Sequence, residues 1–153
     1  MKQVRLATEQ DLPFLMEALL HCDYEKVLGD DAEERIAYSL NRGLMTGFIL
    51  TDNGKADACL LCANSDTDGA AYIDGLYRKD DASGNGFEDL RTLFHYTTTV
   101  LRGIGYKDMK WEISTRNPNF SKLIKAYQRI LGASVVSVSM SVDVEIALGK
   151  LEA

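Results

Sequence analysis

The sequence predicts an α/β fold, a single domain over residues 1–153 with a mixed central sheet of six to seven strands flanked by about four helices. Three observations carry this prediction. Runs of helical period separate runs of strand character, which places helices between strands. Asn53-Gly54 lies between two apolar runs, and this dipeptide favours a two-residue hairpin turn. A third strand-like run, Ala71 to Tyr77, follows that hairpin, so a meander occupies the middle of a chain whose other strands are separated by helices.

The elements follow in order. Val4 to Ala7 reads as a short strand. Thr8 then caps a helix, with Asp11 three residues on as the acidic half of a capping box. Leu12, Leu15, Met16 and Leu19 give that helix one apolar face, and Pro13 is tolerated in its first turns. A second helix starts at Asp30 or Asp31, buries Ile36 and Leu40, and stops at Gly43. Gly47 to Leu50 and Ala58 to Leu61 form the hairpin, and Asp66 to Gly69 is the next turn. After the third meander strand comes a helix with Phe87, Leu90, Leu93, Phe94, Leu101 and Ile104 on or near its inner stripe. Asp108 to Ile113 reads as a strand around the only tryptophan, Trp111. Asn117-Pro118 opens a last helix, with Asn as cap and Pro at the first helical position. Phe120, Leu123, Ile124, Tyr127 and Leu131 line one side of it, and Gly132 ends it. Val135 to Val144 alternates in part and reads as one or two closing strands.

Composition narrows the function classes. A net charge of -6 argues against a nucleic-acid surface and favours cationic small molecules or basic partners. Three cysteines without paired spacing argue against a disulfide framework and for a reducing, cytoplasmic compartment. Cys59 and Cys62 have CxxC spacing, but inside a strand the two side chains point to opposite faces, so no metal or redox role is expected. His21 and His95 lie far apart in sequence and suggest no metal site. No leader and no apolar run long enough for a bilayer is seen, so neither secretion nor membrane insertion is expected.

The stretch Tyr77 to Leu90, "YRKDDASGNGFEDL", joins a strand to a helix through Gly84 and Gly86. A helix N-terminus offers unbonded N–H groups and a partial positive charge, and glycine lets a phosphate approach the backbone. Asp80 and Asp81 oppose an anion there, while Arg78 and Lys79 lie just before them and compensate in charge. The plain alternative is a strand-to-helix bend in which the glycines serve only the turn.

With these elements on the page, the chain resembles the GNAT superfamily, the Gcn5-related N-acyltransferases. The resemblance spans Val4 to about Val138 and is strongest over Ala70–Phe94 and Ser114–Ala133. It implies an N-acyltransferase that moves an acetyl group from acetyl-CoA, the acyl-donor substrate, to a primary amine of a small molecule or protein. It places the pyrophosphate at Gly84, Asn85, Gly86 and Phe87. It places the rest of the cofactor arm on the backbone of Leu76, Tyr77 and Arg78, and at Asn117 or Asn119. Asp81 stands where the family has a basic or amide residue. Tyr127 matches the family's tyrosine acid for the departing thiolate, at a spacing of five residues from Gly132 where about four is usual. A core aromatic explains Tyr127 equally well. Asp74 and Glu112 are the carboxylates available as base, and Asp74 also reads as an ordinary strand-end residue. Gly75 beside it suits a bulge that opens the sheet. The segment between the first two helices, where the family builds its acceptor pocket, holds Asp23, Tyr24 and Glu25, which suit a cationic amine. No metal, nucleic-acid or membrane partner is implied, and a homodimer is compatible with the resemblance. The segment "NPNFSKLIKAYQRILGA" is also similar to small viral virion-assembly and internal proteins that look like degenerate members of this superfamily. An inactive binding or structural protein is therefore the alternative function.

Overall fold

A computed structural model of the chain describes residues 1–21, 30–64, 69–113, 118–135 and 143–152. They fall into two compact units, Met1–Glu112 and Ile113–Ala153. The first unit holds β1 (Lys2–Leu6), α1 (Leu12–His21), α2 (Ala32–Asn41), β2 (Met45–Asp52), β3 (Lys55–Asn64), β4 (Ala70–Arg78), α3 (Gly86–Ile104) and β5 (Asp108–Lys110). The second holds α4 (Phe120–Leu131) and α5 (Val144–Leu151).

The strands lie side by side in chain order, β1-β2-β3-β4-β5. The first four are antiparallel neighbours and β5 runs parallel to β4, so the sheet is mixed as the sequence predicts. It has five strands among the described residues, against the six to seven expected, and five α-helices against about four. The difference lies at the C-terminal end. Residues 136–142 of the expected closing strands lie outside the described residues. Val144 opens α5 instead, because Asp143 caps it by accepting from the N–H groups of Glu145 at 2.9 Å and Ile146 at 3.2 Å.

Local chemistry explains the early elements. Asp11 accepts from the Thr8 N–H at 2.8 Å, and the Asp11 N–H donates to the Thr8 carbonyl at 2.9 Å. This box closes a 3-10 turn, Glu9–Asp11, that feeds α1. Arg5 holds the same carboxylate with two N–H groups at 2.8 and 2.7 Å. Asp31 sits at the N-cap of α2, and Gly43 follows its end with φ +68°. Asn53 and Gly54 both have positive φ, +50° and +81°, which makes the β2–β3 connection the expected tight hairpin.

Alternation along the strands builds a core on each face of the sheet. Ile49, Cys59 and Leu61 pack under α1 and α2 with Phe14, Leu15, Leu19 and Ile36. Phe48 points the other way and meets Tyr96 of α3, with ring centroids 6.0 Å apart. Cys59 and Cys62 are both fully buried, as a strand covered on two faces requires. Within α3 the buried residues are Asp89, Leu93, Phe94, Thr97 and Leu101. Phe87 and Ile104, expected on this stripe, are exposed, because the helical repeat brings Asp89 and Thr97 under the helix instead. Gly47 is fixed by close approach, since a Cβ there would stand 2.7 Å from that of Ala7.

Two register shifts matter for the site. Leu50 faces Ala58 and Thr51 faces Ala56, so Asp57 is an extra residue in β3. Leu61 faces Gly75 and Cys62 faces Ile73, so Asp74 is an extra residue in β4. The bulge suspected at Gly75 is therefore present, one residue earlier.

Arg5 holds the Asp11 carboxyl below the usual carboxylate range. A depressed carboxyl stabilises the fold above its unfolded pKa, and that contribution is lost as pH falls through the folded one. Asp11→Asn is expected to cost about 1–2 kcal/mol at neutral pH. Urea titrations should show the gap to wild type closing as pH falls below about 4.

Candidate functional site

The loop from Arg78 to α3 is built around a buried carboxylate. Asp89, only 4% exposed, lies in the first turns of α3. Lys2 Nζ donates to both of its oxygens, at 2.9 and 2.7 Å, and Arg78 Nε donates to Oδ2 at 2.9 Å. A buried carboxylate is tolerated when paired in this way. The Arg78 guanidinium then reaches up into the loop. Its Nη2 lies 3.2 Å from the Ala82 carbonyl, 3.3 Å from that of Ser83 and 3.3 Å from that of Gly84. Lys2 also donates to the Ser83 carbonyl. The compensating charge expected of Arg78 is thus turned inward.

This arrangement fixes which way the loop amides point. In a planar trans peptide the carbonyl of one residue and the N–H of the next are antiparallel. Carbonyls 82, 83 and 84 face Arg78, so the N–H groups of Ser83, Gly84 and Asn85 face away from it. These three and the N–H of Gly86 have no acceptor among the described residues. Asn85 caps α3 by accepting from the Phe87 N–H at 2.9 Å. Gly84 has φ +83°, a conformation that requires glycine. Gly86 does not have positive φ, and a Cβ there would make only ordinary 3.5 Å contacts with Arg78. The Ser83 hydroxyl donates to Asp52 at 2.9 Å, which ties the loop to the β2–β3 hairpin and lowers the Asp52 pKa. Asp80 and Asp81 are exposed. Asp81, Asp52, Asp57, Lys55, Lys79 and Ser83 line a small polar cavity of about 180 Å³ beside the loop.

The second part of the site is the place where β4 and β5 separate. Their pairing runs from Ala70↔Asp108 to Tyr72↔Lys110 and stops. Asp74 and Glu112 each lie two residues beyond that last pair. Asp74 is half-buried in the bulge, and its charge adds to the burial that pushes the Cys62 thiol up to about 12. Glu112 is exposed and outside any strand, because β5 ends at Lys110 and not at Ile113 as expected. Past Tyr72, β4 keeps its ladder with β3 through Leu76, Tyr77 and Arg78, and no described strand pairs its other edge. The Tyr77 side chain turns to α1. Its hydroxyl donates to Glu17 at 3.0 Å, and its ring stacks on His21 with centroids 4.8 Å apart. Burial, reinforced by Glu17, pushes its pKa up to about 12, so it stays protonated at neutral pH.

Tyr127 lies on α4, in the second unit. It is half-buried with Phe120, Leu123, Ile124 and Leu131, and burial raises its pKa, which keeps a phenol proton to give. Gly132 ends this helix in the left-handed conformation, as expected. The N-cap is Asn119 with Phe120 as first helical residue, so Pro118 stands before the helix and not at its first position. Asn117 lies outside the described residues, as do Asp23, Tyr24 and Glu25. Sequence reasoning missed Lys2, Asp89, Glu17 and His21. A signal existed for Asp89, which stands one turn before Leu93 on an apolar stripe, where a carboxylate needs a cation.

The fold has close counterparts. A GCN5-related N-acetyltransferase from Ralstonia eutropha superposes with a TM-score of 0.72 at 12% identity, over 93% of this chain and 99% of that one. A predicted acetyltransferase from Clostridium acetobutylicum, solved with acetyl-CoA, gives 0.67 at 14% identity, over 95% and 98%. An aminoglycoside acetyltransferase from a soil metagenomic sample, in complex with sisomicin, gives 0.66 at 14% identity, over 93% and 97%. The chain has the fold of the GCN5-related N-acetyltransferases. No family model and no curated protein matches it by sequence. Within this GNAT fold, the gap between β4 and β5 opens past Tyr72, and the strand-to-helix loop follows the end of β4 at Arg78. No described helix is long and apolar enough to cross a membrane, and no described cluster of His, Cys, Asp or Glu suits a metal.

Burial and Asp74 make the Cys62 thiol a poor nucleophile. Iodoacetamide at pH 8, followed by peptide mass spectrometry, should leave Cys62 unlabelled in the folded protein and label it fully in urea.

Proposed function

We propose that this chain transfers an acetyl group from acetyl-CoA to a primary amine of a small molecule or protein. The observation that carries the proposal is the loop whose amides at Ser83 to Gly86 face outward at the N-terminus of α3. That arrangement fits a pyrophosphate, because it presents N–H donors and the positive end of a helix. The neighbour solved with acetyl-CoA supports the donor, and the fold supports the reaction class. Gly84, Asn85 and Gly86, together with Ser83, would hold the pyrophosphate, with Asn117 or Asn119 along the arm; Phe87, expected to join them, has its N–H taken by Asn85. The backbone of Leu76, Tyr77 and Arg78 on β4 would pair with the pantetheine as an added strand does.

Chemistry then takes place where β4 and β5 part. The amine lone pair attacks the thioester carbonyl carbon, the C–S bond breaks, and the amine loses a proton while the thiolate gains one. Tyr127 is the proposed acid for the thiolate. Asp74 is the proposed base, with Glu112 as the second carboxylate at the gap. Asp23, Tyr24 and Glu25 would receive a cationic acceptor. Most of the acceleration would come from holding the two reactants in line. The second reading is an inactive binding or structural protein on the same scaffold, including one like the viral proteins named above. Asp81 in the loop and the exposed Val144, Ile146, Leu148 and Leu151 of α5 favour it.

Release of CoA from acetyl-CoA over a panel of primary amines tests the proposal. Turnover that falls about a hundredfold in Tyr127→Phe supports it. Gly86→Asp should fold normally, since an acid is welcome in the first turn of a helix. It should nevertheless lose acetyl-CoA binding by calorimetry. Neither turnover nor binding in the wild type would replace the proposal by the second reading.

A further inference from the structure

We infer that Arg78 is a positioning residue for the donor's pyrophosphate: held on Asp89, it keeps the loop carbonyls turned inward and so presents the amides of Ser83, Gly84 and Asn85 to the anion. The inference rests on the acetyl-CoA reading above. An arginine beside a phosphate loop is ordinarily read as a direct ligand of the phosphate. The geometry points the other way. The Arg78 Nε is bonded to Asp89 at 2.9 Å, and its Nη2 is surrounded by the carbonyls of Ala82, Ser83 and Gly84 at 3.2–3.3 Å. The guanidinium lies directly beneath Gly86, with Cδ, Nε and Cζ each 3.5 Å from where a Cβ would stand. Its side chain is only 19% exposed. To touch a phosphate it would have to leave a carboxylate that is itself 6% exposed, and that would leave a buried charge with Lys2 as its remaining cation.

The same geometry explains how the loop tolerates Asp80 and Asp81. A planar fork bonded to a carboxylate on one side and to several carbonyls on the other is a shape only arginine supplies. It converts a cation's charge into the orientation of peptide dipoles. The pyrophosphate then meets three N–H groups fixed in advance, and the cost of turning them is met when the chain folds, not when the ligand binds. The two aspartates lie on the rim and are exposed to solvent, where their repulsion is screened.

The two roles for Arg78 predict opposite signs for Asp89→Asn. If Arg78 were a phosphate ligand held back by Asp89, the substitution would release it and tighten binding. If Arg78 positions the loop, the substitution loosens the fork and weakens binding, although it removes a negative charge near the anion. Calorimetric titration with CoA and with inorganic pyrophosphate is the experiment, on wild type, Arg78→Lys, Arg78→Met and Asp89→Asn, with circular dichroism to check the fold. Expected results are a threefold or greater loss of affinity in Asp89→Asn, a tenfold or greater loss in Arg78→Met, and an intermediate loss in Arg78→Lys. In Asp89→Asn the affinity for CoA should fall by a larger factor than the affinity for pantetheine, which has no pyrophosphate; a general structural fault would lower both alike. Tighter binding in Asp89→Asn, or wild-type affinity in Arg78→Lys and Arg78→Met, overturns the inference and leaves the acetyl-CoA reading standing. Failure of the wild type to bind either probe overturns that reading itself. Should Arg78→Met not fold, Asp89→Asn still decides by sign.

Discussion

The Asp89 carboxylate, buried under the first turn of α3 and shared between Lys2 and Arg78, is the constraint on which the candidate site depends. It joins three parts of the chain that are remote in sequence. Lys2 belongs to the edge strand β1, Arg78 ends β4, and Asp89 begins the helix that covers one face of the sheet. A buried carboxylate without these cations would carry a penalty of several kcal/mol. With them it sets the height and direction of α3 and gives Arg78 a fixed anchor. From that anchor the guanidinium shapes the loop, and the loop aims its amides outward.

The other half of the site follows from strand geometry. β4 and β5 are parallel, and only three residues of each are paired. Asp74 is an extra residue in β4 just past that pairing, so the strand bends where it loses its partner. The result is a gap between the two strands past Tyr72 and Lys110, bordered by Asp74 and Glu112. The second extra residue, Asp57, does related work at the hairpin. It is 9% exposed, its Oδ2 has no hydrogen-bond partner among the described residues, and Lys2 Nζ lies 3.9 Å away. Lys2 therefore sits between two buried acids, which ties the bulge in β3 to the same ionic group that shapes the loop.

Much of the fold is legible in the sequence because its signals are local. Asn53-Gly54 requires positive φ at both residues, Thr8 and Asp11 form a box within four residues, and Gly43 and Gly132 end their helices in the left-handed region. The site is less legible because its contacts are remote. Lys2 and Asp89 are 87 residues apart, so nothing near Asp89 announces its partner. The direction of Tyr77 depends on strand register, which places its side chain on α1 while its backbone remains on the β4 edge. Phe87 looks like a core residue and Asp89 a surface one. The helical repeat reverses them, because the ion pairs make the carboxylate acceptable inside. The last helix was hidden by a partial alternation over Val135–Val144, where the Asp143 cap outweighs strand character at the end of the run.

The most direct measurement is a titration of ¹⁵N-labelled protein with CoA, followed by amide spectra. The N–H groups of Ser83, Gly84, Asn85 and Gly86 are expected to move downfield together as they acquire an acceptor, with the Phe87 N–H, already bonded to Asn85, moving least. Unchanged resonances at these four amides while CoA binds elsewhere, or shifts confined to side-chain signals of Arg78, would contradict the central claim that this loop holds the anion through its backbone.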